Sequence, residues 1–174
     1  VYLSVKTEFQ PLNYIKRQDL HLSVYDIYIK KNIRTLIYAF SLVRAKNPGL
    51  KLKLAGKAID RGYQAEINEA IYSANLESTV ELIGEQTTKN LVHLYQSCAL
   101  FIFPSTVETF GDPLGEAMAC GTPIARSNTA AMPEILGDAA TYFDPLDVKD
   151  MANTIMSILE NENERQRLGA LALE

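Results

Sequence analysis

The sequence has no tryptophan, two cysteines (Cys98 and Cys120) and two histidines (His21 and His93). Two thiols make no disulfide framework, and neither they nor the imidazoles stand at the spacing of a zinc site. With the histidines so far apart, a histidine-centred catalytic triad has little to build on. No run of about 18 consecutive apolar residues occurs, so no membrane-spanning helix is expected. A basic excess is also lacking: 17 lysines and arginines face 21 aspartates and glutamates, for a net charge of −4. That argues against a nucleic-acid partner held by a positive field. The opening VYLSVKTEFQPLN has no basic flank ahead of an apolar stretch, so it does not read as a secretory signal. It also lacks an initiator methionine, and the expectation is a fragment of a longer chain. A reducing, cytoplasmic setting fits this cysteine usage.

What is present is 174 residues with 47% apolar content, enough for one domain with a sizeable core. Short apolar runs alternate with amphipathic stretches. DLHLSVY (19–25) reads as a strand. KNIRTLIYAFSLVRAK (31–46) places Ile33, Leu36, Ile37, Phe40 and Val43 on one helical face, and Asn47, Pro48 and Gly49 end it. LKLKLAG (50–56) is a second strand, 63–76 a helix and TVELIG (79–84) a third strand. Thr87 or Thr88 caps the next helix. SCALFIFPS (97–105) is the most apolar strand, as expected of one buried on both faces of a parallel sheet. Strands at 121–127 and 139–144 follow, and Asp147 caps a helix whose stripe is Val148, Met151, Ala152, Ile155, Ile158 and Leu159. Residues 1–18 lack periodicity and read as a linker from a preceding domain, with the domain proper at 19–174. The tail after Asn161 reads as a polar helix, open to packing elsewhere. Strands alternating with helices predict an α/β fold, a doubly wound, Rossmann-like parallel sheet with helices on both faces. In such sheets ligands sit beyond the carboxyl ends of the strands.

One stretch carries candidate chemistry. ETFGDPLGEAMACG (108–121) follows the most apolar strand and opens a helix, with Asp112 as N-cap, Pro113 at the first helical position and Gly121 as the stop. Glu108 lies in the loop and Glu116 one turn into the helix. Gly111 lets the backbone approach a ligand closely. A helix start attracts a phosphate, and carboxylates accept strong hydrogen bonds from sugar hydroxyls. A phosphate joined to polyhydroxy groups describes a nucleotide sugar. The plainer account is that a first-turn glutamate suits the helix dipole and a loop glutamate is simply solvated. Spacing alone leaves both open.

The wider pattern resembles the C-terminal domain of the GT-B glycosyltransferases, specifically their large retaining family 4. The signature of that family is two glutamates separated by seven residues, matched by Glu108 and Glu116. The likeness extends over LVHLYQSCALFIFPSTVETFGDPLGEAMACGTPIARSNTAAMPEILGDAATYFDPLDVKDMANTI and over KNIRTLIYAFSLVRAKNPGLKLKLAG, roughly residues 20–165 in all. It implies one half of a GT-B fold that binds the donor. Glu116 is then expected on the ribose hydroxyls and Glu108 beside the donor sugar, as the catalytic residue. The backbone of Thr109, Phe110 and Gly111 is expected to line the sugar and diphosphate, Leu114 to lie near the nucleotide, and Gly84 and Glu85 to meet the base.

The family's diphosphate clamp, an arginine and a lysine separated by four residues, is only half matched. Lys31 fills the lysine position, whereas Asp26 stands where the arginine belongs, and an aspartate repels a diphosphate. Ala130 and Ala131 replace two glycines that the family often has, and Glu134 reads as structural. The resemblance implies a retaining, metal-independent transfer from a UDP- or GDP-sugar, with no other cofactor. Attack comes on the same face, and the leaving phosphate assists acceptor deprotonation. A glycosidase-like double displacement through the two carboxylates is disfavoured, because Glu116 belongs at the ribose. The acceptor, a glycan or a lipid-linked glycan, and any peripheral association with the inner membrane are assigned to the missing N-terminal half. The isolated piece is expected to transfer nothing. A degenerate, non-catalytic nucleotide-sugar module, a GT-B nucleotide-sugar epimerase and a flavodoxin-like regulator stand as alternatives.

Overall fold

The structure is a computed structural model that describes residues 5–12, 17–107, 112–129 and 136–174. In chain order its elements are β1 (Gln18–Val24), α1 (Ile33–Lys46), β2 (Lys51–Ala55), α2 (Arg61–Ser73), β3 (Val80–Gly84), α3 (Thr88–Ser97) and β4 (Cys98–Phe103). There follow α4 (Asp112–Ala119), β5 (Ile124–Ser127), β6 (Ala140–Phe143), α5 (Val148–Leu159) and α6 (Glu162–Leu171). The six strands form one sheet in the order β3-β2-β1-β4-β5-β6, with every pairing parallel. This is the doubly wound arrangement expected from the alternation of strands and helices. The chain reverses its direction of travel across the sheet between β1 and β4, which pair through Leu22 and Phe101.

Two cores flank the sheet. On one face the α1 stripe of Ile33, Leu36, Ile37, Phe40 and Val43 meets Ile67 and Ile71 of α2 and Met151, Ile155 and Ile158 of α5. Those five α1 side chains are fully buried, each worth roughly 1.5–3 kcal/mol of transfer free energy at most. On the other face Leu94 and Tyr95 of α3 and Leu114 and Ala117 of α4 cover Leu22, Phe101 and Phe103. All six residues of β4 are buried, because it lies inside the sheet with helices over both faces. Among the described residues, four helix starts carry a side-chain cap. Asp60 accepts from the Tyr63 N–H, Thr87 from Asn90, Asp147 from Lys149 and Asp150, and Asn161 from Glu164.

Three features differ from expectation. Helix α1 begins at Ile33 rather than residue 31, because Asn32 takes a left-handed φ of 54° after a 3-10 turn, Ile29–Lys31. Asparagine tolerates that region better than most residues. The tail helix α6 docks on this same domain. Its Leu168 is fully buried, and Gly169 lies so close to the Gly121 carbonyl that an added Cβ would stand 2.7 Å from it. Described residues of the segment read as a linker also contact the domain. Phe9 is buried against the Tyr95 ring, and the carbonyl of Gln10 accepts from Gln96 Nε2 at 2.7 Å. The Arg17 guanidinium donates to the carbonyls of Tyr95, Gln96, Cys98 and Gly121. Its hold on Tyr95 and Gln96 supplies partners that the end of α3 lacks within itself.

Candidate functional site

A cavity of about 570 Å³ opens at the carboxyl ends of β1, β2 and β3, on the α4 side of the switch point. Three strand ends build its floor. Gly56 closes β2 with a φ of 141°, and a Cβ there would lie 1.6 Å from the Tyr25 carbonyl oxygen, so only glycine permits the approach of the two strand ends. The Gly56 N–H in turn donates to the carbonyl of Gly84, which ends β3 with a φ of 67°. Glu85 and Gln86 continue from there along the wall, and Gln86 is fixed by its amide donating to the Ile83 carbonyl at 2.5 Å.

The loop after β1 is held by its neighbours. Asn32 donates through Nδ2 to the carbonyls of Pro104 and Pro145, and its Oδ1 accepts from the Thr35 hydroxyl. The Thr106 N–H bonds the Lys30 carbonyl. One asparagine thereby joins the loops that leave β1, β4 and β6. Within this frame Lys31 is buried rather than solvated, with its Nζ 5.2 Å from the centre of the Tyr28 ring and 5.7 Å from that of Phe103. Both are cation–π distances.

The far wall comes from α4. Asp112, Pro113 and Glu116 line the cavity, whereas Leu114 and Ala117 face the sheet, as one helical turn requires. Glu116 is half-buried, and its Oε2 accepts a hydrogen bond from the Tyr95 hydroxyl at 3.1 Å. Burial pushes its carboxyl above the usual range. The Tyr95 bond opposes that shift, the Asp112 charge adds to it and Lys6 opposes it. Among the described residues around the cavity, four carboxylates (Asp26, Glu85, Asp112, Glu116) outnumber two ammonium groups, Lys31 and Lys57. Hydroxyl groups are the natural partners of such a surface, and an anion is held only close to the two lysines. Among the described residues, no group of three or more side chains is placed to hold a metal ion.

A second cavity of about 590 Å³ lies at the opposite end of the sheet, between Arg17 and α6. There Arg17 donates to four backbone carbonyls, and Arg165 to Glu162 and the carbonyls of Ile158 and Leu159. It lacks the convergence of strand carboxyl ends, and the first cavity is the better candidate site.

Residues 4–173 match the family described as glycosyl transferases group 1. The chain belongs to that family. It is 31% identical over 162 residues to the O-antigen chain mannosyltransferase B of Escherichia coli, covering 87% of this chain and 41% of that protein. It is 35% identical over 153 residues to the serotype-specific mannosyltransferase WbdA of the same organism, covering 87% of this chain and 19% of that one. The chain therefore spans about two-fifths or less of these curated relatives. The C-terminal domain of a glycosyl transferase group 1 protein from Francisella tularensis superposes with a TM-score of 0.82 at 20% identity, over 94% of this chain and 91% of that one. Anabaena HepE, crystallised with UDP and glucose, superposes with a TM-score of 0.81 at 23% identity, over 90% of this chain and 42% of that one. These likenesses establish a Rossmann-like α/β domain of the GT-B kind.

Of the site residues read from the sequence of this glycosyl transferase domain, Lys31, Glu85 and Glu116 line one cavity, together with Asp26; Gly84 is not among its lining residues, but its carbonyl accepts from the N–H of Gly56, which is. Leu114 does not line it; its side chain is 2% exposed and belongs to the core beneath α4. Glu108, Thr109, Phe110 and Gly111 lie outside the described residues, as do Ala130, Ala131 and Glu134. Sequence reasoning passed over Gly56, Lys57, Tyr28, Asn32 and Tyr95. The strand-closing glycine was a signal for the first, and an asparagine just ahead of an amphipathic stripe was one for Asn32. Nothing local pointed to Tyr95.

Proposed function

We propose that this chain is the donor-binding domain of a retaining glycosyltransferase and that the cavity beyond β1–β3 takes the nucleotide-sugar donor. The observation that carries this reading is Glu116, half-buried on the cavity wall and facing the same space as Lys31. A half-buried carboxylate suits a pair of ribose hydroxyls, and Lys31 suits the diphosphate. The names of the relatives favour a mannosyl donor. Glu108, from the stretch ahead of α4, is assigned to the donor sugar. Thr109, Phe110 and Gly111 are assigned to the sugar and diphosphate, and Gly84 and Glu85 to the base.

The departing nucleoside diphosphate gains negative charge as the glycosidic bond breaks. Among the described residues, Lys31 and Lys57 are the two cations on the cavity wall able to stabilise it, and Lys57 stands in for the arginine that Asp26 replaces. The proton from the acceptor passes to the leaving phosphate, and the sugar is delivered to the face from which the phosphate departs. No metal takes part in this scheme. The acceptor, a glycan or a lipid-linked glycan, is assigned to another part of a longer protein, and this domain alone binds donor without turning it over. Asp26 favours a second reading, a non-catalytic module that keeps the donor but has lost its clamp.

Calorimetric titration with UDP, GDP and ADP tests the site. The expected result is saturable binding of one nucleotide, with GDP the choice favoured by a mannosyl donor, and its loss in Glu116→Ala. Binding of all three alike, or binding unaffected by Glu116→Ala, overturns the assignment. Sugar transfer by the 174-residue chain alone would refute the dependence on a second domain.

A further inference from the structure

Glu116 is gripped from behind by a residue outside the cavity. Tyr95, near the end of α3, is fully buried, and its hydroxyl reaches Oε2 of Glu116. The Tyr95 ring is fixed edge-on by Phe9 at 6.0 Å and by Phe101 at 5.3 Å between centroids. Its carbonyl accepts from Arg17 at 3.0 Å and from the Thr122 hydroxyl at 2.8 Å. Ring and backbone are thus both held, and the phenol is a preset donor aimed at one carboxylate oxygen. Such a bond favours the ionised carboxylate and removes its freedom to swing.

We infer that Tyr95 is a positioning residue that holds the Glu116 carboxylate ionised and in one orientation on the cavity wall, leaving its other oxygen for the hydroxyls of the ligand. The role for those hydroxyls rests on the donor-site reading above; the hold on the carboxylate does not. Other groups also act on Glu116. Asp112, one turn earlier on α4, opposes its ionisation and Lys6 supports it, while Cys120 follows at the helix end. Across the cavity stand Asp26, Lys31, Lys57 and Glu85. None of these is altered by a change at Tyr95, so the effect of the phenol is separable.

Tyr95→Phe keeps the ring and deletes the donor. Side-chain carboxyl NMR of the ligand-free chain reads the consequence directly. Loss of a bond to the ionised form makes protonation easier, so the Glu116 midpoint moves up in the variant; an unmoved midpoint overturns the inference. In the unaltered chain the Tyr95 hydroxyl proton exchanges slowly, and Glu116→Ala releases it; protection that survives Glu116→Ala also overturns it. With GDP and UDP as probes, Tyr95→Phe weakens binding on the order of tenfold at neutral pH. The acid-side loss of affinity also starts at a higher pH. Tyr95→Phe adds nothing to the loss already caused by Glu116→Gln, whereas fully additive losses count against the coupling. Should the unaltered chain bind neither nucleotide, the donor-site reading falls, and the carboxyl midpoint still decides the role of Tyr95.

Discussion

Asp26 is an exposed carboxylate on the wall of a cavity that is proposed to receive a diphosphate. At that exposure a single charge acts through water, and its effect is modest and screened by salt. Asp26→Asn is therefore expected to tighten binding of a nucleoside diphosphate roughly two- to fivefold at low ionic strength. The parent nucleoside, which has no phosphates, should bind as before. Titration of both ligands at two salt concentrations checks this. Equal gains for nucleoside and diphosphate would place the phosphates away from residue 26. Lys31 shows why such questions need coordinates. The sequence marked it only as the lysine of a clamp, and it is two aromatic rings and a 3-10 turn that bury it beside the cavity.

Among the elements, the ends of β1, β2 and β3 act together, and Gly56 sets their spacing. A side chain at residue 56 would collide with the Tyr25 backbone in a conformation that already disfavours anything but glycine. Gly56→Ala is expected to destabilise the domain by about 2 kcal/mol or more. It should also distort the cavity floor, so that nucleotide affinity falls even where the protein remains folded. Urea unfolding followed by nucleotide titration at low denaturant separates the two effects. If Gly56→Ala matched the original stability, the strand ends could not be as close as described. The Asn32 latch belongs to this scale as well, because it joins loops from three strands whose residues are distant in sequence.

At the scale of the whole molecule, stability is linked to pH through His21. This imidazole is fully buried in β1 against the Phe40 ring, and burial alone pushes its pKa down to about 3. The folded chain thus resists a proton that the unfolded chain accepts near pH 6.5. Stability from this source is complete above that value and is lost as pH falls from about 6.5 towards 3. The loss is on the order of a few kcal/mol. Unfolding free energies at pH 7 and pH 4 should therefore differ less in His21→Leu than in the original chain. An unchanged pH dependence would mean that His21 is not the group that titrates.

The amino-acid sequence determined what depends on local periodicity and on short motifs. The alternation of strands and helices, the α1 and α5 stripes, the Asp147 cap and the buried character of β4 were legible because each is encoded within one turn or one strand. The family was legible as well, through the spacing of Glu108 and Glu116 and the pattern around it. The tertiary structure alone decided which distant residues meet. It brought Tyr95 of α3 behind Glu116 of α4, set Lys57 and Lys31 on one cavity, and turned Leu114 into the core while its neighbour Pro113 lines that cavity. It also docked Phe9, Arg17 and α6 on the domain, where the sequence showed only an irregular segment and a polar helix. The physical reason is the same in each case. Periodicity reports which face of an element is apolar, but the partner of a polar atom is chosen by the crossing of elements far apart in the chain.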